Sequence, residues 1–72
     1  MTQTTIMETL VRKMAKEYQE AVIDIKVEHE LFMGEEIMTA YYHSFKQHTI
    51  YKGMLQCNIT TNEQKFTHDI MH

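Results

Sequence analysis

Between Thr5 and Met33 the chain contains no Gly, Pro, Asn or Ser. Those residues turn and end regular structure most readily, so a run of this length without them narrows the available folds sharply. Within it, the stretch from Ala21 to Met33 reads in two ways. Ile23, Ile25 and Val27 alternate with Asp24, Lys26 and Glu28, as in a half-buried strand, yet the same residues continue a helical spacing that begins near Met7. A helix-to-strand switch near residue 21 would have to bend without a turn-forming residue. The pattern therefore predicts one helix from Thr5 to about Met33, with the β-branched run Val22, Ile23, Ile25 and Val27 as a modest propensity cost that packing can override.

Thr5-Ile6-Met7-Glu8 has the form of a capping box and marks the start of that helix. Met7, Val11, Met14, Tyr18, Val22, Ile25, His29 and Phe32 share one side of it, the expected core stripe. Gly34 reads as a C-cap or kink, and Glu35 and Glu36 suit the first turn of a second helix. Ile37, Met38, Tyr41, Tyr42, Phe45 and His48 fall on one side of this second helix, which should end between Ile50 and Gly53. Residues 53–60 read as an irregular connection or a very short strand. Thr60-Thr61-Asn62-Glu63 then offers another capping box, opening a short terminal helix that carries Phe66 and Ile70. The expected fold is mostly all-α, a single small helical domain over residues 1–72: a long N-terminal helix, a second helix in a hairpin and a short C-terminal helix.

Seventy-two residues bury only roughly 60% of the surface exposed by the unfolded chain, so such a domain is marginal without a staple. Cys57 is the one cysteine, which removes disulfides, and no Cys and His set has zinc-site spacing. Self-association remains. On a long first helix, Ile23, Val27 and Leu31 lie nearly opposite the core stripe, leaving its second half apolar on two sides. The expectation is a helical homodimer, with Ile23, Val27, Leu31 and Phe32 as dimer or target contacts. The alternative is that the terminal helix, with Phe66, Ile70 and Met71, folds back over Ile23, Val27 and Leu31.

The net charge is −3 and unevenly spread: from Glu17 to Glu36 there are seven acids against the single base Lys26. Glu17, Glu20, Asp24 and Glu28 would form a ridge on the first helix, extended by Glu35 if it ran through Gly34. A row of carboxylates on a rigid body can imitate a phosphate backbone and dock into a basic groove. These observations favour a non-enzymatic protein-binding module, a small inhibitor or modulator that sets an acidic helical face on a basic surface or channel of a larger DNA-binding or replication protein. The rival is a small nucleic-acid-binding transcriptional regulator using Arg12, Lys13, Lys16 and the aromatics and bases Tyr41, Tyr42, Phe45, Lys46, Tyr51 and Lys52. Net negative charge weighs against direct nucleic-acid binding.

Catalytic and cofactor motifs are not found in the sequence. Gly34 and Gly53 are the only glycines, which excludes a phosphate cradle. His68 and His72, four apart, could face one metal ion from a helix but have no third ligand and read as a solvated tail; His43 and His48 point apart, and His29 reads as a core histidine. Cys57 lacks a nucleophile context. No enzyme activity, metal or cofactor is expected. A lone thiol, the lack of a secretory layout and the lack of a long apolar run suggest a cytoplasmic protein without a membrane span, so Asn58-Ile59-Thr60 is a glycosylation site by letters only.

Two resemblances accompany these readings. In Leu31 and Phe32, the segment Glu28-His29-Glu30-Leu31-Phe32 resembles the bacterial sliding-clamp binding peptide Gln-Leu-x-Leu-Phe, which binds in an extended shape that a helix would prevent. The chain, compact and rich in Met, Thr, Tyr and Ile, also resembles in general character the small phage-encoded proteins that inhibit host machinery.

Overall fold

The computed structural model describes residues 3 to 71. One helix, α1 (Gln3–Glu17), is followed by four strands, β1 (Ala21–Phe32), β2 (Glu35–Lys46), β3 (Thr49–Asn58) and β4 (Gln64–Ile70). The strands form one antiparallel sheet in the order β1-β2-β3-β4, with α1 lying chiefly over β1 and β2. The expected all-α fold is thus overturned: the long helix stops at Glu17, and neither the second nor the terminal helix forms. A helical homodimer built on those helices falls with them.

The decisive site is the end of α1. Glu20 N–H donates to Ala15 carbonyl at 2.9 Å and Gln19 N–H to Lys16 carbonyl at 3.0 Å, with Gln19 at φ 60°. This is a Schellman motif, normally closed by glycine because the left-handed conformation crowds a Cβ. Here glutamine takes that position, so the helix ends where no sequence signal announced it. At the other end, Thr5 is not the cap: helix extends back to Gln3, and the Thr5 carbonyl accepts from Thr9 Oγ1 at 2.9 Å.

The two tight hairpins repeat the lesson. Phe32 pairs with Glu35 across Met33 (φ 52°) and Gly34 (φ 79°), and Lys46 pairs with Thr49 across Gln47 (φ 50°) and His48 (φ 64°). Two-residue loops with both φ values positive match the right-handed twist of the strands and usually read Asn-Gly. Three of these four positions are occupied by residues that disfavour them. The cost, about 1–2 kcal/mol per residue, has to be offset by the strand pairing that the turns permit. The β3–β4 connection is held instead by Asn58, whose Oδ1 accepts from the Thr60 and Thr61 amides at 3.0 and 3.1 Å. The supposed second capping box is therefore part of a turn.

Alternation sets the two faces. Register pairs Ile25 with Tyr42, Val27 with Ala40, and these with Gly53 and Leu55. Together with Met38 they face α1, whose Met7, Val11 and Ala15 are buried on them. Met7, Val11 and Met14 were legible as the core stripe. The outer face carries Asp24, Lys26, Glu28 and Glu30 on β1, and Ile37, Thr39, Tyr41, His43 and Phe45 on β2. A bulge between Val22 and Asp24 leaves Ile23 unpaired and 55% exposed. Small residues occupy the inner positions beneath α1 (Ala40, Ser44, Gly53), which is why β2 showed no clear apolar alternation.

Twelve residues at roughly 3.3 Å each make the β1–β2 hairpin about 40 Å long, matching the 42 Å long axis of the molecule. The fifteen residues of α1 cover about 22 Å of it. The hairpin end therefore stands clear of the helix.

Candidate functional site

That projecting end is the first candidate. Leu31, Phe32 and Met33 are consecutive and 72, 58 and 88% exposed. Around them stand Glu28, Glu30, Glu35 and Glu36, with Lys26 further back, 3.2 Å from Glu28. The tip is an apolar knob with an acidic collar. Residues 28–32 are extended, as the clamp-binding peptides are, but as one strand of a paired hairpin.

The five acids expected on one ridge are divided by the fold. Glu17 ends α1, exposed. Glu20 turns inward: its side chain is 3% exposed, accepting from Ser44 Oγ at 2.6 Å and meeting His68 Nε2 at 2.8 Å. Asp24 lies on the outer face, 2.8 Å from His43 Nδ1, its register partner on β2. Glu28 is on that face too, while Glu35 accepts from Asn58 Nδ2 at 2.8 Å. Asp24, Glu28 and Glu35 thus share a sheet face that Glu20 leaves. Of the apolar contacts expected with them, Val27 is half-buried against the core, Ile23 sits at the bulge, and Leu31 and Phe32 form the knob.

Sequence reasoning missed the polar node centred on Glu20. His68 lies between the rings of Tyr18 and Tyr51, both with centroids at 5.0 Å and nearly parallel to it. His68 Nε2, the buried Ser44 hydroxyl and one carboxylate thus tie β4, β2 and the end of α1 together. The node resembles a nucleophile–base arrangement in its residue types only. Ser44 is 0% exposed and donates to Glu20 rather than to His68, so no activated nucleophile faces solvent. Its chemistry is structural. No local signal marked it, since Glu20 and His68 are 48 positions apart.

Beside the node, Tyr42 is 1% exposed and its hydroxyl has no hydrogen-bond partner among the described residues. Burial, then the charge of Glu20 and then Tyr18, push its pKa from 10.0 up to about 12. The raised value means the folded chain holds its proton where the unfolded chain has released it. Stability contributed by neutral Tyr42 is complete below pH 10 and is lost as pH rises toward 12. Denaturant titrations should show this alkaline loss in the native chain and a shallower one in Tyr42→Phe, which forfeits no hydrogen bond and should match the native stability or exceed it at pH 7. Equal alkaline slopes in the two proteins would remove Tyr42 as the cause.

A depression of about 240 Å³ lies between the start of α1 and the sheet, lined by Ile6, Met7, Leu10, Met38, Cys57, Ile59 and Gln64. Burial pushes the Cys57 thiol up, away from the thiolate form. Among the described residues no three His, Cys, Asp or Glu side chains are grouped to hold a metal ion; His72 lies outside them. No described helix is long and apolar enough to cross a membrane. His29, expected in the core, is exposed near the tip.

The bases and aromatics of the nucleic-acid reading are also separated. Arg12, Lys13 and Lys16 are exposed on α1, whereas Tyr41 and Phe45 lie on the sheet face away from it and Tyr42 and Tyr51 face the helix side. No family model, curated protein or solved structure matches this chain.

Proposed function

We propose that this is a non-catalytic binding protein whose β1–β2 tip docks into an apolar pocket with a basic rim on a larger, nucleic-acid-handling protein, which it inhibits or modulates. The observation that carries the reading is the run Leu31-Phe32-Met33, exposed at the end of a long hairpin. Full burial of each such side chain is worth roughly 1.5–3 kcal/mol, and the described residues leave all three more than half exposed. Leu31 and Phe32 project to opposite faces of the ribbon, so the tip is an apolar wedge with a polar rim, and exposed apolar side chains so gathered are the usual mark of a binding site. Glu28, Glu30, Glu35 and Glu36 supply that rim and select a basic counterpart, which proteins that neutralise phosphates present.

Direct nucleic-acid binding is disfavoured by charge and placement. The outer face carries Asp24, Glu28, Glu30, Glu35 and Asp69 against Lys26, Lys52 and Lys65, and the α1 bases lie on the far side of the sheet.

Replacing Leu31, Phe32 and Met33 together with serine should leave thermal unfolding unchanged, since none is buried. Loss of a buried anchor at an interface costs about 2 kcal/mol, so affinity for the target, isolated from source cells with the native chain and identified by mass spectrometry, should fall about 30-fold or more. Equal affinity of the two chains would exclude the tip. Mixing with plain duplex DNA should give no binding; tight binding that weakens steeply with salt would replace this reading with its rival.

A further inference from the structure

We infer that two copies of this chain join through their β4 edges into one continuous eight-stranded antiparallel sheet, related by a two-fold axis at Thr67. The inference is independent of the tip. It starts from the backbone of β4, which is an edge strand. The Asn58 amide donates to the Glu63 carbonyl and the Met71 amide to the Ile50 carbonyl, each at 2.8 Å. Bonded pairs alternate along an antiparallel ladder, so the main-chain groups of Lys65, Thr67 and Asp69 turn toward β3. Those of Gln64, Phe66, His68 and Ile70 turn outward.

Antiparallel pairing centred on Thr67 sets Gln64 opposite the partner's Ile70 and Phe66 opposite the partner's His68. Every outward group of both strands then finds a complement. The same register sets Lys65 opposite the partner's Asp69, twice by symmetry, and the two Thr67 side chains opposite each other. These fall at non-hydrogen-bonded sites, where side chains approach most closely and opposite charges stabilise. The strand is self-complementary in both hydrogen bonds and charge. In the single chain Asp69 Oδ1 accepts from the Ile70 amide at 2.8 Å; pairing exchanges that bond for the carbonyl of the partner's Gln64 and releases Asp69 to Lys65.

The other edge does not fit. β1 is bulged at Ile23, and centring it on Val27 would set Lys26 opposite the partner's Glu28 but Asp24 opposite the partner's Glu30, so its charges do not all pair as those of β4 do. β4 has an unbroken register and neither Pro nor Gly. Its helix-side surface also lies beyond the chief cover of α1, leaving Ile70 43% exposed. The symmetry puts both helices on one side of the joint sheet and sends the two hairpin tips to opposite ends, both free.

Sedimentation over a range of concentrations, with amide hydrogen exchange on the same samples, tests this. The native chain should form a dimer in which the Phe66 and His68 amides exchange slowly, and dilution to monomer should expose them. Lys65→Asp or Asp69→Lys replaces two attractive pairs by two repulsive ones and should raise the dissociation constant about 30-fold, and the double exchange Lys65→Asp with Asp69→Lys should restore it. Circular dichroism checks that each variant is folded; should the single variants unfold, the exchange pattern of the native dimer decides. A native chain monomeric at every concentration, leaving β4 to a strand from another protein, overturns the proposal. So does a dimer with freely exchanging Phe66 and His68 amides, or folded single variants that dimerise as tightly as the native chain.

Discussion

Gly53→Ala should lower the stability of this protein by about 3 kcal/mol, the upper end of ordinary overpacking. Gly53 sits opposite Tyr42 in the β2–β3 register, and the Tyr42 ring lies directly over it. An added Cβ would fall inside the van der Waals envelope of the ring, against Cζ, Cε1 and the hydroxyl. A flexible surface side chain would swing away. Tyr42 is 1% exposed within the core made by Met7, Val11, Met38, Ala40 and Leu55, so its ring has no free volume to enter. For a domain of this size the loss corresponds to a melting temperature lower by roughly 12–24 °C. Trimming the ring tests the cause: in a Tyr42→Leu background, Gly53→Ala should cost much less than in the native chain, a non-additivity expected only of residues in contact. Full additivity would mean that the glycine matters for another reason.

Glu20→Ala should cost a similar amount, about 2–4 kcal/mol, because it removes one acceptor from two buried or half-buried donors at once. Ser44 Oγ at 2.6 Å and His68 Nε2 at 2.8 Å both converge on the Glu20 carboxylate. The node is where α1, β2 and β4 are tied together, so its loss should also loosen the stack of Tyr18, His68 and Tyr51. Glu20→Gln retains the shape and one oxygen acceptor and should cost about half as much. Glu17→Ala, at an exposed position three residues earlier, serves as the control and should be nearly neutral. Denaturant midpoints for the three variants measure the difference. If Glu20→Ala and Glu17→Ala were equally mild, the carboxylate would be a bystander.

Much of the first seventeen residues was legible. The apolar spacing of Met7, Val11 and Met14 gave both the helix and the side it buries, because helical contacts lie within four residues of each other. The strand reading of Ile25 and Val27 against Asp24, Lys26 and Glu28 was also visible, and the structure upholds it. What misdirected the choice was punctuation. Gln19, Met33, Gln47 and His48 all take positive φ where Gly or Asn would have declared a turn. Further along, Tyr41, Tyr42 and Phe45 simulated a helical face, while the true inner row of Met38, Ala40, Tyr42 and Ser44 was disguised by its small members.

The candidate surfaces divide in the same way. That Leu31-Phe32-Met33 is apolar and bordered by acids is written in the order of the residues. Its projection beyond α1 depends on the length of the β1–β2 hairpin, and Glu20 became a buried tie only when β4 brought His68 beside it. The amino-acid order by itself determined one amphipathic helix, a chain with a single thiol and no disulfide, and an acidic middle. Tertiary structure decided the rest: where the helix stops, which residues turn, and that the segments between the turns from Ala21 to Ile70 pair as strands. Helix and strand propensities differ by less than about 1 kcal/mol per residue, too little to hold left-handed turns built from ordinary side chains. Only the ladders and the packed face between partners far apart in the chain supply the energy that fixes them.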